Sequence, residues 1–251
     1  MESDKLTPVG KALLILETMS NHPDELKVAE ISELTKINRT TVYRILRELL
    51  EKDWVIQDYK SKKFITGPMA FHVGMAYTNN NNIEAKILEV LNRLCGEVKE
   101  SIGYAVREGD KVISIYEVEI HQPYKMNYHP GQFYPMNRGG YGKCLYAFHD
   151  RERVKQLLSE QKFEKIGPNT LTDPDKILRE YEKIRKQGYA VSNEEVMNHV
   201  IGVGVPVFNH AGEVKGCIGG AFFKDKDYEK KIENFIQLFK EGAEEIARYL
   251  P

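Results

Sequence analysis

Between positions 39 and 47 the chain sets Arg39, Thr40, Thr41, Tyr43, Arg44 and Arg47, a run of guanidinium, hydroxyl and phenol donors. Such groups bond base edges in the major groove of DNA, arginine in bidentate fashion to guanine. Lys60, Lys62 and Lys63 follow; as point charges they would hold the sugar-phosphate backbone and add affinity without sequence information. A third run, Arg138-Gly139-Gly140-Tyr141-Gly142-Lys143, places glycines just before a helix expected over residues 143–148. Bare backbone N–H groups there can converge on a ligand carboxylate at a positive helix end. A tight turn with no ligand is the competing reading. A phosphate-binding P-loop would need glycine in place of Asn137 and Ser or Thr in place of Cys144, which argues against ATP or GTP.

The first two sets need a scaffold, and residues 27–66 supply one. Val28, Ala29, Ile31 and Leu34 give a short helix an apolar side. Residues 35–38 break it, and Asn38 is a good cap for a second helix running from about Arg39 to Lys52. On that helix Val42, Ile45, Leu46, Leu49 and Leu50 share the anchoring side, leaving Thr40, Arg44, Arg47 and Glu51 outward with Arg39, Thr41 and Tyr43 on the flank. Glu48 and Glu51 sit toward the far end, where phosphate would repel them, so only the first two turns are expected to enter a groove. Two β-prone runs, 54–57 and 63–66, bracket a lysine-bearing tip over 58–62. Helix, turn, helix and basic ribbon make a winged helix-turn-helix. Trp54 is expected to pack in its core.

Charge is distributed to match. Residues 36–63 hold eight Lys/Arg against four acids, whereas residues 1–35 hold seven acids against three lysines. The basic surplus is therefore local, and the net charge of −1 argues against a nonspecific nucleic-acid binder. Service as a protein-binding or dimerisation module is the alternative for this unit.

At 251 residues the chain suits two domains: a DNA-binding domain over residues 1–67, a linker helix and hinge over 68–82, and a second domain over 83–251. Thr7-Pro8 should open the first helix, with Val9, Ala12, Leu13, Leu16 and Met19 on its apolar face, and residues 69–77 the linker helix. Four consecutive asparagines, 79–82, make a hinge. Beyond it we expect helices over 83–98, 151–159, 174–187 and 228–250, with strands over 102–107, 111–118, 124–129, 189–192, 201–208 and 213–223. The domain then reads as α+β with a mainly antiparallel sheet.

The opening MESDKLTP has no apolar signal region, and the longest apolar run, residues 200–208, is too short to span a bilayer, so a cytoplasmic protein without a membrane role is expected. Cys95, Cys144 and Cys217 are odd in number and scattered, as reduced packing thiols would be. No short ligand spacing joins them to His121, His129, His199 or His210, so neither a metal site nor a cofactor is expected. Glu194 and Glu195 are adjacent carboxylates on an extended segment and should point to opposite faces, which disfavours acid/base catalysis.

The order VGKALLILETM, INRTTVYRIL, basic wing, GQFYPMNRGGYGKCL, GYAVSNEEV and GVGVPVFNHAGEVKGCIGGAFF resembles the isocitrate lyase regulator (IclR) family of bacterial transcription factors, over residues 7 to 249. The resemblance implies a winged helix-turn-helix, a linker helix, a C-terminal effector domain of GAF-like topology, and dimers or tetramers adjusted by small organic acids. It implies that Ser192, Val200, Gly202, Gly219 and Ala221 line the effector pocket beside Gly140, Tyr141 and Gly142, with Met126 closing one wall or serving the core. Tyr141 stands where the family usually carries a small residue; its phenol would either shrink the pocket or bond the ligand. The leading expectation is a ligand-responsive regulator of operator DNA, repressing rather than activating by family analogy. The alternative is a small-molecule enzyme or stand-alone sensor that uses the N-terminal domain to oligomerise.

Overall fold

A computed structural model of the chain describes residues 5–22, 24–78, 83–119 and 129–250. The chain divides into two compact units, residues 1–81 and 82–251. No described helix is long and apolar enough to cross a membrane.

In the first unit α1 (Pro8–Ser20) starts at Thr7, whose hydroxyl accepts the Gly10 N–H at 3.1 Å, with Pro8 pre-set for the first turn. Helix α2 (Val28–Thr35) is opened by Glu30, which accepts the Lys27 N–H at 2.6 Å, and stopped by Lys36 in the left-handed conformation. Helix α3 (Arg39–Leu50) is capped as expected, Asn38 accepting the Thr41 N–H at 2.9 Å. Ile15, Ile31, Val42, Leu46, Val55 and Phe64 form the core that locks the three helices to the ribbon. Leu34 and Leu50 stay exposed, and Trp54 is only half-buried, outside that core. The core is closed by aliphatic side chains and Phe64, and the indole is left at its edge.

The ribbon pairs β1 (Val55–Gln57) with β2 (Phe64–Thr66), Ile56 opposite Ile65. Leu26 adds a bridge to Phe64 on the other edge. Helix α4 (Pro68–Thr78) begins at Pro68, one residue before the expected start. The asparagine run 79–82 lies outside the described residues.

The second unit is an α+β layer structure compatible with a GAF-like topology. After α5 (Glu84–Val98), a six-stranded antiparallel sheet runs in the order β5 (Phe133–Tyr134), β4 (Lys111–Val118), β3 (Ile102–Glu108), β8 (Val214–Phe223), β7 (Val200–Phe208), β6 (Ala190–Asn193). Strand β5 was not anticipated, because two residues carry no period. The strand expected over 124–129 falls, but for His129, outside the described residues, as does Met126. Helices α6 (Gly140–Ala147), α7 (Arg151–Glu160) and α8 (Pro174–Gln187) cover one face of the sheet; α5 and α9 (Tyr228–Ala247) cover the other.

Strand β7 shows why two layers fit. Its side chains alternate, so Ile201, Val203, Val205 and Val207 enter the core shared with α5 and α9, while Gly202 and Gly204 face α6. A Cβ on Gly204 would stand 2.5 Å from the Gly140 carbonyl oxygen, so only glycine lets the α6 backbone rest on the strand.

Candidate functional site

Arg39, Thr40, Tyr43, Arg44 and Arg47 recur at the spacing of one helical face and are all exposed, Tyr43 at 52 %. Among the described residues, no hydrogen bond or ion pair engages the side chains of the three arginines. Thr41 is half-buried on the flank, its N–H held by Asn38. The opposite face of α3 is buried through Val42, Ile45 and Leu46, so the helix is anchored and its donors are presented.

The wing tip is shaped by Asp58. Its carboxylate accepts the N–H groups of Lys60 at 3.1 Å and Ser61 at 2.6 Å, and these bonds hold its pKa below the usual carboxylate range. Lys62 takes a left-handed φ of 59° and lays its ammonium 4.6 Å from the Tyr59 ring centre. Lys60 and Lys62 are exposed, and Lys63 is half-buried.

In the second unit a cavity of about 200 Å³ opens between the start of α6 and the sheet. Of the nine residues expected there, Gly140, Tyr141, Ser192, Val200, Gly202, Gly219 and Ala221 line it. Gly142 does not: a Cβ there would stand against the Pro135 carbonyl oxygen, so this glycine serves helix packing instead. The Tyr141 phenol is buried and donates to the Gly219 carbonyl oxygen at 3.1 Å, while its ring lies over the bare Gly219 backbone and meets Tyr134 edge-on at 4.8 Å.

Helix α6 begins at Gly140, three residues earlier than expected, because a distant side chain caps it. Glu195 accepts the Gly139 N–H at 3.2 Å and pairs through its other oxygen with the Lys143 ammonium at 2.5 Å. Lys143, fully buried, also donates to Glu180 at 3.0 Å and to the Val191 carbonyl at 2.8 Å. Burial pushes the Glu195 carboxyl up against the pull of Lys143. Part of the positive helix end assigned to a ligand is thus already met from within. Glu194 turns away from Glu195 and pairs with Lys224 at 2.8 Å.

Sequence reasoning assigned no role to five polar residues of the cavity: Ser101, Glu117, Gln132, Tyr134 and Arg138. Arg138 forms no ion pair among the described residues, and burial lowers its pKa. Burial likewise pushes the Glu117 carboxyl up to about 8. An acid at an otherwise alternating position of β4 carries no local mark of such an environment.

Comparison with known proteins identifies both units. Residues 8–58 match the IclR helix-turn-helix domain, and residues 75–248 match the bacterial transcriptional regulator IclR C-terminal domain. The chain belongs to the IclR family. Among IclR-family relatives, the HTH-type transcriptional regulator KipR of Bacillus subtilis is 26 % identical over 245 residues, 98 % of this chain and 97 % of KipR. The crystal structure of an IclR-type regulator from Alicyclobacillus acidocaldarius superposes with a TM-score of 0.82 at 25 % identity, covering 98 % of this chain and 99 % of that one. An IclR homologue from Microbacterium hydrocarbonoxydans, complexed with 4-hydroxybenzoate, shares the fold at a TM-score of 0.79 and 18 % identity, over 97 % of this chain and 99 % of that one.

Proposed function

We propose that this IclR-family regulator reads operator DNA through Arg39, Thr40, Thr41, Tyr43, Arg44 and Arg47, holds the flanking phosphates with Lys60, Lys62 and Lys63, and answers to a small organic acid bound in the cavity beside Tyr141. The carrying observation is the face of α3, whose three arginine side chains are exposed and, among the described residues, form no hydrogen bond or ion pair. A surface ready for phosphate and base edges is left where the helix-turn-helix presents it. The linker region 68–82 joins the reading unit to the sensing unit. Assembly as a homodimer or homotetramer fits a pseudo-palindromic site, since two-fold protein symmetry is mirrored in half-sites.

Ligand binding would alter the relative placement or assembly of subunits and move the reading helices out of register. It can do so only as far as it binds the two arrangements differently. By family analogy the regulation is repression, without catalysis, cofactor or metal.

Selection of duplexes from a random pool by the full chain tests this reading. Recovery of a pseudo-palindromic consensus, with affinity falling steeply as salt rises, is expected. Equal binding to all duplexes, or none at low salt, would overturn it.

A further inference from the structure

Tyr59 stands at the tip of the wing and is 84 % exposed, well beyond Tyr43 on the reading helix. The turn that carries it is fixed. Besides the two N–H groups its carboxylate accepts, Asp58 donates its own N–H to the Lys63 carbonyl at 2.9 Å, and its carbonyl accepts the Lys62 N–H at 3.0 Å. Gln57 adds a side-chain bond to the Lys62 carbonyl at 3.1 Å. Lys62 keeps a left-handed φ that a side chain disfavours, and its ammonium lies over the Tyr59 ring. Among the described residues nothing else engages the Tyr59 side chain. With one face covered by a cation, a ring this exposed offers its other face and its hydroxyl outward.

The reach of the wing says where that ring goes. Val55 shares the core with Val42 and Leu46 of α3, and Tyr59 lies four residues further on. At a strand rise of about 3.3 Å per residue the tip extends about 13 Å, against a major groove about 12 Å wide. With α3 in the major groove, the tip therefore falls across one strand of phosphates, over the neighbouring minor groove. There an A·T pair shows acceptors alone, and a G·C pair adds the guanine amino group. A phenol suits the first: its hydroxyl donates to those acceptors while its ring lies along the sugars. The guanine amino group takes the space the ring needs.

We propose that Tyr59 is a specificity-determining residue that enters the minor groove beside each half-site and selects A·T over G·C pairs there. This assignment rests on the DNA-reading function given above and adds a second reading element to α3, distinct from the phosphate grip of the lysines.

The test uses the consensus duplex recovered by the full chain, with the pairs flanking each half-site set to A·T, G·C or inosine·cytosine, and follows binding by fluorescence anisotropy. Inosine lacks the guanine amino group, so its pair resembles G·C in the major groove and A·T in the minor. The A·T and inosine duplexes should bind alike, and the G·C duplex roughly tenfold more weakly, a discrimination typical of one mismatched pair. Tyr59→Ala, at a surface position outside the core, should bring the three duplexes to one affinity. Equal binding of all three by the wild-type protein would overturn the assignment, as would inosine tracking G·C, which would place the preference in the major groove. A ratio that survives Tyr59→Ala would overturn it too, by tracing the preference to groove width and the lysines or by leaving the ring only to support Lys62. These outcomes leave the DNA-reading function standing. Recovery of no consensus would overturn both.

Discussion

Glu195 accepts the Gly139 backbone N–H at 3.2 Å, so the amino end of α6 meets a carboxylate from its own chain, 56 residues away. The same carboxylate neutralises Lys143 one turn further on, and the two together pin the cavity wall to the segment after β6. The cation is wholly buried, and its three acceptors satisfy all three of its protons.

Removing one member of such a cluster leaves a buried charge uncompensated. Lys143→Met should therefore destabilise the second unit by about 3 to 5 kcal/mol, measured as a shift in the urea midpoint. Combined with Glu195→Gln, the loss should be smaller than the sum of the two single losses. Strict additivity would show that the pair is not coupled.

The reading helix depends on its first turn. Asn38→Ala removes the acceptor of the Thr41 N–H and should cost about 1 kcal/mol of stability. Fraying there would disturb Arg39 to Tyr43 most, so DNA affinity should drop beyond what the melting temperature records.

Arg44 and the wing lysines should separate in a salt titration. Arg44→Ala is expected to lose discrimination between operator and random duplex. Replacement of Lys60 and Lys62 by Ala should weaken both duplexes alike and reduce the salt slope by about one per lysine. An Arg44 variant whose discrimination is unchanged would remove it from the reading set.

Glycine at 204 is required by contact with backbone, not by its own φ. Gly204→Ala drives a Cβ to 2.5 Å from the Gly140 carbonyl, so α6 must move away from β7. Lower thermal stability and loss of ligand binding are expected together.

Glu117 makes stability depend on pH. Its carboxyl titrates at about 8 in the fold, against an ordinary 4.5. Between those values the folded chain holds the proton more tightly than the unfolded one. Stability should be greatest at the acid end of that window and fall by at most about 1.4 kcal/mol per pH unit as pH rises toward 8. Glu117→Gln should flatten this slope, as chemical denaturation at several pH values would reveal.

What could be read along the chain was whatever depends on near neighbours. Asn38 as a cap, Pro174 at the head of α8, the bare face of α3 and the alternation of β7 all arise from contacts within a few residues, where helical and strand periods are written in residue order. The family resemblance placed seven of the cavity residues in the same way, through ordered motifs. The start of α6, the role of Lys143, the exclusion of Gly142 and the environment of Glu117 followed no such period. Each is set by a partner brought close through the sheet: Glu195 to Gly139, Pro135 to Gly142, Gly103 to Glu117. Desolvation and charge pairing belong to the space around a group, and that space exists once β3, β4 and β7 have been laid against α6.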